Sequence, residues 1–356
     1  MPSGPRIDDA FSYHEIEAVF LENAALRVLV LPGKGGDVLE FRDKRTDVDV
    51  LFHTDHNWWA SETRRIPDVD GSSFHDHYPG GWQVNLPVAG HTEDFDGTPY
   101  GLHGESALLP WDAAIVREDD EAVSLRLTVE LARYPFAIER TLTLPAGTSR
   151  LLVEEAVTNQ GRVPLEYMWQ QHVALGAPLL GPAATLRIPA ETGVVEAYDD
   201  EHANARLAAD ETFAWPIAPG VDGDDVDLRE IPPPSIGSHD VAFATDLEAG
   251  WYTLVNPDID LGFGFAFPTD PFECVWYWQP FHGMDSSPFF GRNYNVGLEP
   301  TTAYPSQNIP DAQRQNASID VIDPGETVRA SFVAVTFPAS VDVAGIEPDG
   351  SLRPTD

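Results

Sequence analysis

The sequence predicts an all-β fold of large antiparallel sheets packed face to face. Three observations predict it: apolar and polar residues alternate with period two, Pro and Gly close each alternating run, and no long amphipathic-helix pattern occurs.

The runs follow one another along the chain. Residues 25–31 alternate and stop at Pro32-Gly33. Residues 122–131 alternate for ten residues. Residues 136–144 follow and are closed by Pro145-Ala146-Gly147, and residues 150–158 end at Asn159-Gln160-Gly161. Later strands are expected at 262–267, 272–278 and 327–337. About twenty such segments suit two sheets whose inner faces share one core.

Two stretches read as loops. Residues 57–81 mix charge, Gly, His and Trp without periodicity, and residues 218–238 hold four aspartates and the triplet Pro232-Pro233-Pro234. Hairpin-like strands run without a break from Val116 to Leu175, so one domain over residues 1–340 is expected, with 341–356 as an acidic, mobile tail.

Composition bounds the function. The chain has 356 residues, 42% of them hydrophobic, with 9 Trp, 18 Phe and 10 Tyr, which is ample for a core. It carries 58 acidic against 21 basic side chains, a net charge of −37, and Lys34 and Lys44 are its lysines. The acids are spread from Asp8 to Asp356, which reads as a surface adapted to high salt, where the Debye length shrinks to ~3 Å. No basic stripe exists to meet phosphates, so neither nucleic acid nor an anionic membrane is an expected partner. The single Cys274 excludes an intramolecular disulfide and a cysteine zinc site. No apolar run approaches a membrane span and no signal peptide is visible near Met1, so a soluble cytoplasmic protein is expected, as monomer or homodimer.

Three short motifs carry the chemistry. In Gly101-Leu102-His103-Gly104-Glu105, an imidazole sits between glycines that let a ligand approach the backbone. It follows Gly81-Trp82-Gln83-Val84-Asn85 and precedes Trp111. In Met168-Trp169-Gln170-Gln171-His172, strand alternation puts Gln170 and His172 on one face and Trp169 and Gln171 on the other. In Gly297-Leu298-Glu299-Pro300, a carboxylate at a strand end, partly desolvated, suits a general base. Aromatic rings stack on the C–H faces of sugars, and Trp82, Trp169 and Trp278 are the expected ligand-facing ones.

In these residues the chain resembles the aldose 1-epimerase (galactose mutarotase-like) superfamily, over roughly residues 20–337. Supporting marks are Asp240 in His239-Asp240-Val241-Ala242-Phe243 and the turn Asp323-Pro324-Gly325-Glu326. The resemblance implies a β-supersandwich and interconversion of sugar anomers without a cofactor or metal. It implies Glu299 as the base that takes the C1 hydroxyl proton and His172 as the acid that protonates the ring oxygen. His103 would bind the sugar near the reacting centre and Asp240 would hold ring hydroxyls, with Asn85, Gln170 and the three tryptophans also touching the small sugar substrate. The family's Asn-Arg-Ile signature has no clear counterpart: Thr63-Arg64-Arg65-Ile66 is the nearest, and Tyr78-Pro79-Gly80-Gly81-Trp82 looks more like hexose-6-phosphate epimerase relatives. A phosphorylated sugar would need an arginine such as Arg64, Arg65 or Arg292.

Three rival readings remain at this point. His75-Asp76-His77 with His103 and Glu105 faintly resembles a cupin metal set, in which His-x-His lies on a strand. A non-catalytic carbohydrate-binding protein on the same fold would not need both His172 and Glu299. A polysaccharide lyase or hydrolase domain would need an extended cleft.

Overall fold

The computed structural model describes residues 4–59, 73–91, 93–95, 98–197, 204–304 and 319–355. Two large antiparallel sheets dominate it, of twelve and eight strands. In the larger, the order from one edge is Arg6–Tyr13, Ile16–Glu22, Leu26–Leu31, Asp37–Asp43, Trp82–Asn85, Gln170–Gly176, Asn295–Thr301, Cys274–Phe281, Ser238–Leu247, Ala190–Val195 and Thr212–Ala214. The short strand Val48–Asp49 pairs beside Asp37–Asp43. The smaller sheet runs Thr185–Arg187, Trp251–Asn256, Leu261–Ala266, Thr327–Phe337, Arg150–Asn159, Phe136–Pro145, Ala122–Glu130 and Asp112–Glu118. This is the all-β, mutarotase-like sandwich that the alternation and the resemblance imply.

The two inner faces meet in one core. Phe41 and Phe263 cross it edge to face at 5.7 Å, Trp82 and Phe265 at 5.1 Å, and Trp169 and Phe332 at 6.2 Å. Alternation along the strands feeds it: in Phe136–Pro145 the residues Phe136, Ile138, Leu142 and Leu144 are buried, and Arg140 takes the one inward place between them. That arginine is neutralised inside the core, with its Nε 2.9 Å from Glu155 Oε1 and its guanidinium 4.5 Å above the Trp82 ring.

The strands stand within a residue or two of their expected bounds, except that the one expected at 272–278 runs Cys274–Phe281. The expected loops are partly structured. Residues 60–72 lie outside the described residues, but Ser73–Asp76 is a short helix, and Ile217–Pro219 pairs with Asp225–Asp227. The segment read as a tail instead forms the hairpin Val343–Ile346 with Leu352–Pro354, and Val343 and Ile346 pack with Trp251, Val333 and Val335. A bulge between Val343 and Gly345 brings Val343 and Ile346, three residues apart, together over the smaller sheet. No helix among the described residues is long and apolar enough to cross a membrane.

Candidate active site

Five central strands of the larger sheet bring the polar residues to one outer face. Strand register does this. Val38 pairs with Trp82, which sets Asp37 beside Gln83; Gln83 pairs with His172; and Trp276 pairs with Glu299. The pairs Gln170–Thr301 and Ala174–Gly297 flank His172 and Glu299, so these two stand opposite each other on adjacent strands. Directly opposed residues of antiparallel strands point to the same face. A row Asp37, Gln83, His172, Glu299, Trp276 therefore crosses the sheet.

The two candidate catalytic groups meet over this row. His172 Nε2 lies 3.4 Å from Glu299 Oε1, and their side chains are only 4% and 3% exposed. Gly297 makes room for the carboxylate, because a Cβ there would stand 2.1 Å from Glu299 Oε1. The glycine of the Gly-Leu-Glu-Pro motif is thus required by the acid two residues on. Burial pushes the Glu299 carboxyl well above its usual range. Burial pushes His172 down to about 3, and the charge of Lys34 acts in the same direction. Both groups are driven to their neutral forms: the pair holds one proton, on the carboxyl.

His103 enters from a turn. It has a left-handed backbone (φ 62°), and its Nδ1 hydrogen-bonds the Ala89 carbonyl. With Nδ1 donating, Nε2 is left as the acceptor. Its ring stands 5.2 Å from that of His172, and burial lowers its pKa well below the usual value. Gly104 serves the backbone rather than a ligand: at φ 73°, a Cβ would stand 2.6 Å from the Leu86 carbonyl oxygen. Glu105 accepts hydrogen bonds from the backbone of Ala132 and Arg133, which makes it a structural tie.

A cavity of about 280 Å³ covers these groups. That is close to the lower end of ligand pockets, ~300–1,000 Å³. His172, Glu299, His103 and Trp278 line it together with Phe74, His75, Tyr78, Phe289 and Trp276. The farther wall is polar, with Glu196, His239, Asp285, Ser286 and Ser287. Trp278 Nε1 donates to His239 Nε2 at 3.2 Å, which steadies the indole as a wall.

Other expected site residues lie elsewhere. Trp82 and Trp169 face the inter-sheet core, fully buried against Phe265 and against Phe272 and Phe332, so neither is ligand-facing. Asn85 and Gln170 do share the His172 face, but Asn85 Nδ2 donates to Gln170 Oε1 at 2.7 Å in a closed, buried spot beyond the cavity wall. Asp240 points to the opposite side of its strand from the cavity. Its Oδ1 accepts from the backbone N–H groups of Arg206 and Leu207 at 2.9 and 3.0 Å. Its neighbours His239 and Val241 line the cavity instead. Arg292 is held by the Phe289 and Pro288 carbonyls outside the cavity, and Arg64 and Arg65 lie outside the described residues. His75 and His77 sit in and after the helix Ser73–Asp76, not on one strand face, which removes the geometry of the cupin reading. No cluster of metal-ligating side chains occurs among the described residues.

A sandwich of this topology defines the fold class: a galactose mutarotase-like β-sandwich. The chain belongs to the family described as a domain of unknown function, DUF4432, whose model matches residues 14–334. No curated protein matches it. Among solved structures it is similar to a protein provisionally named an aldose 1-epimerase from Klebsiella pneumoniae, with TM-score 0.69, 14% identity, and coverage of 93% of this chain and 83% of that one. It is also similar to a galactose mutarotase-like protein from Clostridium acetobutylicum (TM-score 0.66, 12% identity, 94% and 99% covered). A galactose mutarotase related enzyme from Lactobacillus acidophilus gives TM-score 0.61 at 14% identity, with 90% and 98% covered. Likeness at these identities concerns the fold.

Proposed function

We propose that this cavity interconverts the anomers of a small sugar by acid–base ring opening and closure, as an aldose 1-epimerase-like isomerase. The observation that carries the reading is the His172–Glu299 pair, 3.4 Å apart on adjacent strands in the floor of an aromatic-walled cavity. Ring opening needs one group to take the C1 hydroxyl proton and another to give a proton to the ring oxygen. The pair carries the one proton needed. Moving it from Glu299 to His172 creates the base and the acid with no net change in charge, and sugar hydroxyls in the cavity supply the hydrogen bonds that burial removed.

The steps then balance. Glu299 carboxylate takes the proton of the C1 hydroxyl, the C1–ring oxygen bond breaks, and imidazolium His172 protonates the ring oxygen. The product is the open aldehyde. Rotation about C1–C2 and the reverse steps on the other carbonyl face give the second anomer. His103 Nε2, the accepting nitrogen, suits a sugar hydroxyl, and the Trp278 ring suits a sugar C–H face.

The cavity lining favours a sugar without phosphate. Its lining holds no Lys or Arg among the described residues, and the carboxyls Glu196 and Asp285 would repel a phosphate. The test is polarimetry of freshly dissolved α-D-glucose and α-D-galactose in molar KCl, with wild type beside Glu299→Gln. Faster mutarotation by the wild type alone supports the reaction and the base together. No acceleration of either sugar, or of any other free aldose, defeats the reading and leaves a carbohydrate-binding protein on this fold.

A further inference from the structure

One ionisable side chain in the cavity has no part in the reaction described above. Tyr78 follows the helix Ser73–Asp76 and leads into Gly80-Gly81. Its ring is clamped: it stacks on Phe74 at 5.4 Å and stands edge-on to His172 at 5.5 Å and to Trp278 at 6.1 Å. The side chain is 1% exposed, and its hydroxyl has no hydrogen-bond partner. A buried O–H without an acceptor weakens a protein, and phenylalanine would fill the same space without that cost.

The surroundings say what the hydroxyl is for. Burial first, then the charge of Glu299, then that of Asp37, push the phenol far above its usual pKa, so it remains a donor. Glu299 Oε1 is also buried and receives no hydrogen bond. An orphan donor and an orphan acceptor therefore line one cavity, and the carboxyl is the charge that acts most strongly on the phenol.

We propose that Tyr78 is a positioning residue for Glu299: its hydroxyl donates to the carboxylate when Glu299 ionises, which steadies the base during turnover. The role in turnover rests on the epimerase reading; the hydrogen bond itself does not. Other titratable groups surround the carboxyl. His172 faces it from the neighbouring strand at 3.4 Å, and His103 and His75 line the same cavity. The ion pair of Lys34 Nζ and Asp37 Oδ2, at 2.6 Å, lies at the end of the same row, where Gln83 Nε2 also reaches Asp37 Oδ2 at 3.1 Å. Tyr252, from the smaller sheet, also has a buried, unpartnered hydroxyl and feels Glu299. Its ring, however, stacks on Phe265 at 5.5 Å in the inter-sheet core and does not line the cavity.

The experiment compares wild type, Tyr78→Phe and Tyr252→Phe. Ionisation of Glu299 is followed by infrared difference spectroscopy over pH, with Glu299→Gln identifying its carboxyl band. Thermal stability and the pH profile of kcat/KM are measured beside it. Tyr78→Phe is expected to move the Glu299 midpoint upward by about one pH unit, a tenfold change in ionisation. The alkaline limb of kcat/KM, where the pair loses its one proton, should move up with it, while the melting temperature stays level or rises. Tyr252→Phe should leave the midpoint in place. An unmoved midpoint in Tyr78→Phe overturns the proposal, as does an equal shift in Tyr252→Phe. A lowered melting temperature with no shift would assign the hydroxyl to Asp37. The infrared titration needs no turnover, so a wild type inactive on every sugar defeats the epimerase reading while the hydrogen bond is still decided.

Discussion

The strand Gln170–Gly176 carries buried polar side chains on both faces, and the two faces hold them differently. Toward the core, Gln171 receives a hydrogen bond from Trp82 Nε1 at 2.8 Å and donates to Glu155 Oε2 at 2.8 Å, and Glu155 pairs with Arg140 at 2.9 Å. Toward the cavity, His172 Nδ1 and Glu299 Oε1 have no hydrogen-bond partner. Both faces are dry. On one, opposite charges stand together within the protein, although Arg140 Nε and Nη2 and Glu155 Oε1 make no hydrogen bond; on the other, ionisable groups are left neutral and unsatisfied beside a cavity. Buried polar groups are ordinarily satisfied, and only on the second face do the unsatisfied ones border a cavity that a ligand can enter.

The largest effect is expected from removing salt, which tests both faces at once. A net charge of −37 repels itself over ~30 Å at 0.01 M salt but over only ~3 Å at 1 M. Circular dichroism in tens of millimolar KCl should show loss of the native sheets, recovered on return to molar KCl. Native spectra kept in low salt would show that the acidic surface is no load on this fold.

Substitutions then separate the faces. Glu299→Gln and His172→Ala should each lower turnover by ~10²–10⁴-fold, the usual contribution of an acid–base group. Glu299→Gln should leave the melting temperature unchanged or raised, because a buried acid becomes an amide of the same shape. Arg140→Met is the counterpart on the core face. It leaves Glu155 buried without its cation and should cost ~3–5 kcal/mol of stability in denaturant unfolding. The double change Arg140→Met with Glu155→Gln should recover most of that loss. A stable Arg140→Met, or a Glu299→Gln that unfolds, would mean that the two faces do not differ as described.

The same contrast explains what the sequence made legible. Period-two alternation located most of the long strands, and it put Gln170 with His172 and Trp169 with Gln171 on opposite faces. Alternation does not say which face meets the second sheet and which meets the cavity. Trp82 and Trp169 were therefore expected on the ligand side, although their rings fill the core against Phe265 and Phe332. Asp240 fails by one residue: in a strand the neighbour points the other way, so His239 and Val241 take the cavity face. Phe74, His75 and Tyr78 come from a stretch without periodicity, where no pattern assigns a side chain to a face. Sequence order could join Glu299, His172 and His103; the register that sets His172 opposite Glu299 comes from pairing between strands more than a hundred residues apart.

The smallest effects concern pH, and their signs follow from the neutral state of the cavity. The folded pKa of His172 is depressed to about 3 from the usual 6.5, so between these values the unfolded chain binds the extra proton. Stability from this group is present above about 6.5 and is lost as pH falls toward about 3. His75, held down to about 4, acts in the same sense. Glu299 works the other way. Its folded pKa is raised, so its contribution is full below the unfolded carboxyl value and is lost as pH rises through the folded one. Each proton difference changes stability by about 1.4 kcal/mol per pH unit crossed. In molar KCl, His172→Phe should flatten the acid limb of denaturant-measured stability by about that slope between pH 6 and 4. Glu299→Gln should gain on the parent as pH rises. On the core face, burial raises the Glu155 carboxyl too, but the Arg140 charge opposes it, so Glu155→Gln should gain less toward alkaline pH than Glu299→Gln. Equal pH slopes for Glu299→Gln and Glu155→Gln would remove the electrostatic distinction between the faces and, with it, the reason to place an acid–base pair on one of them.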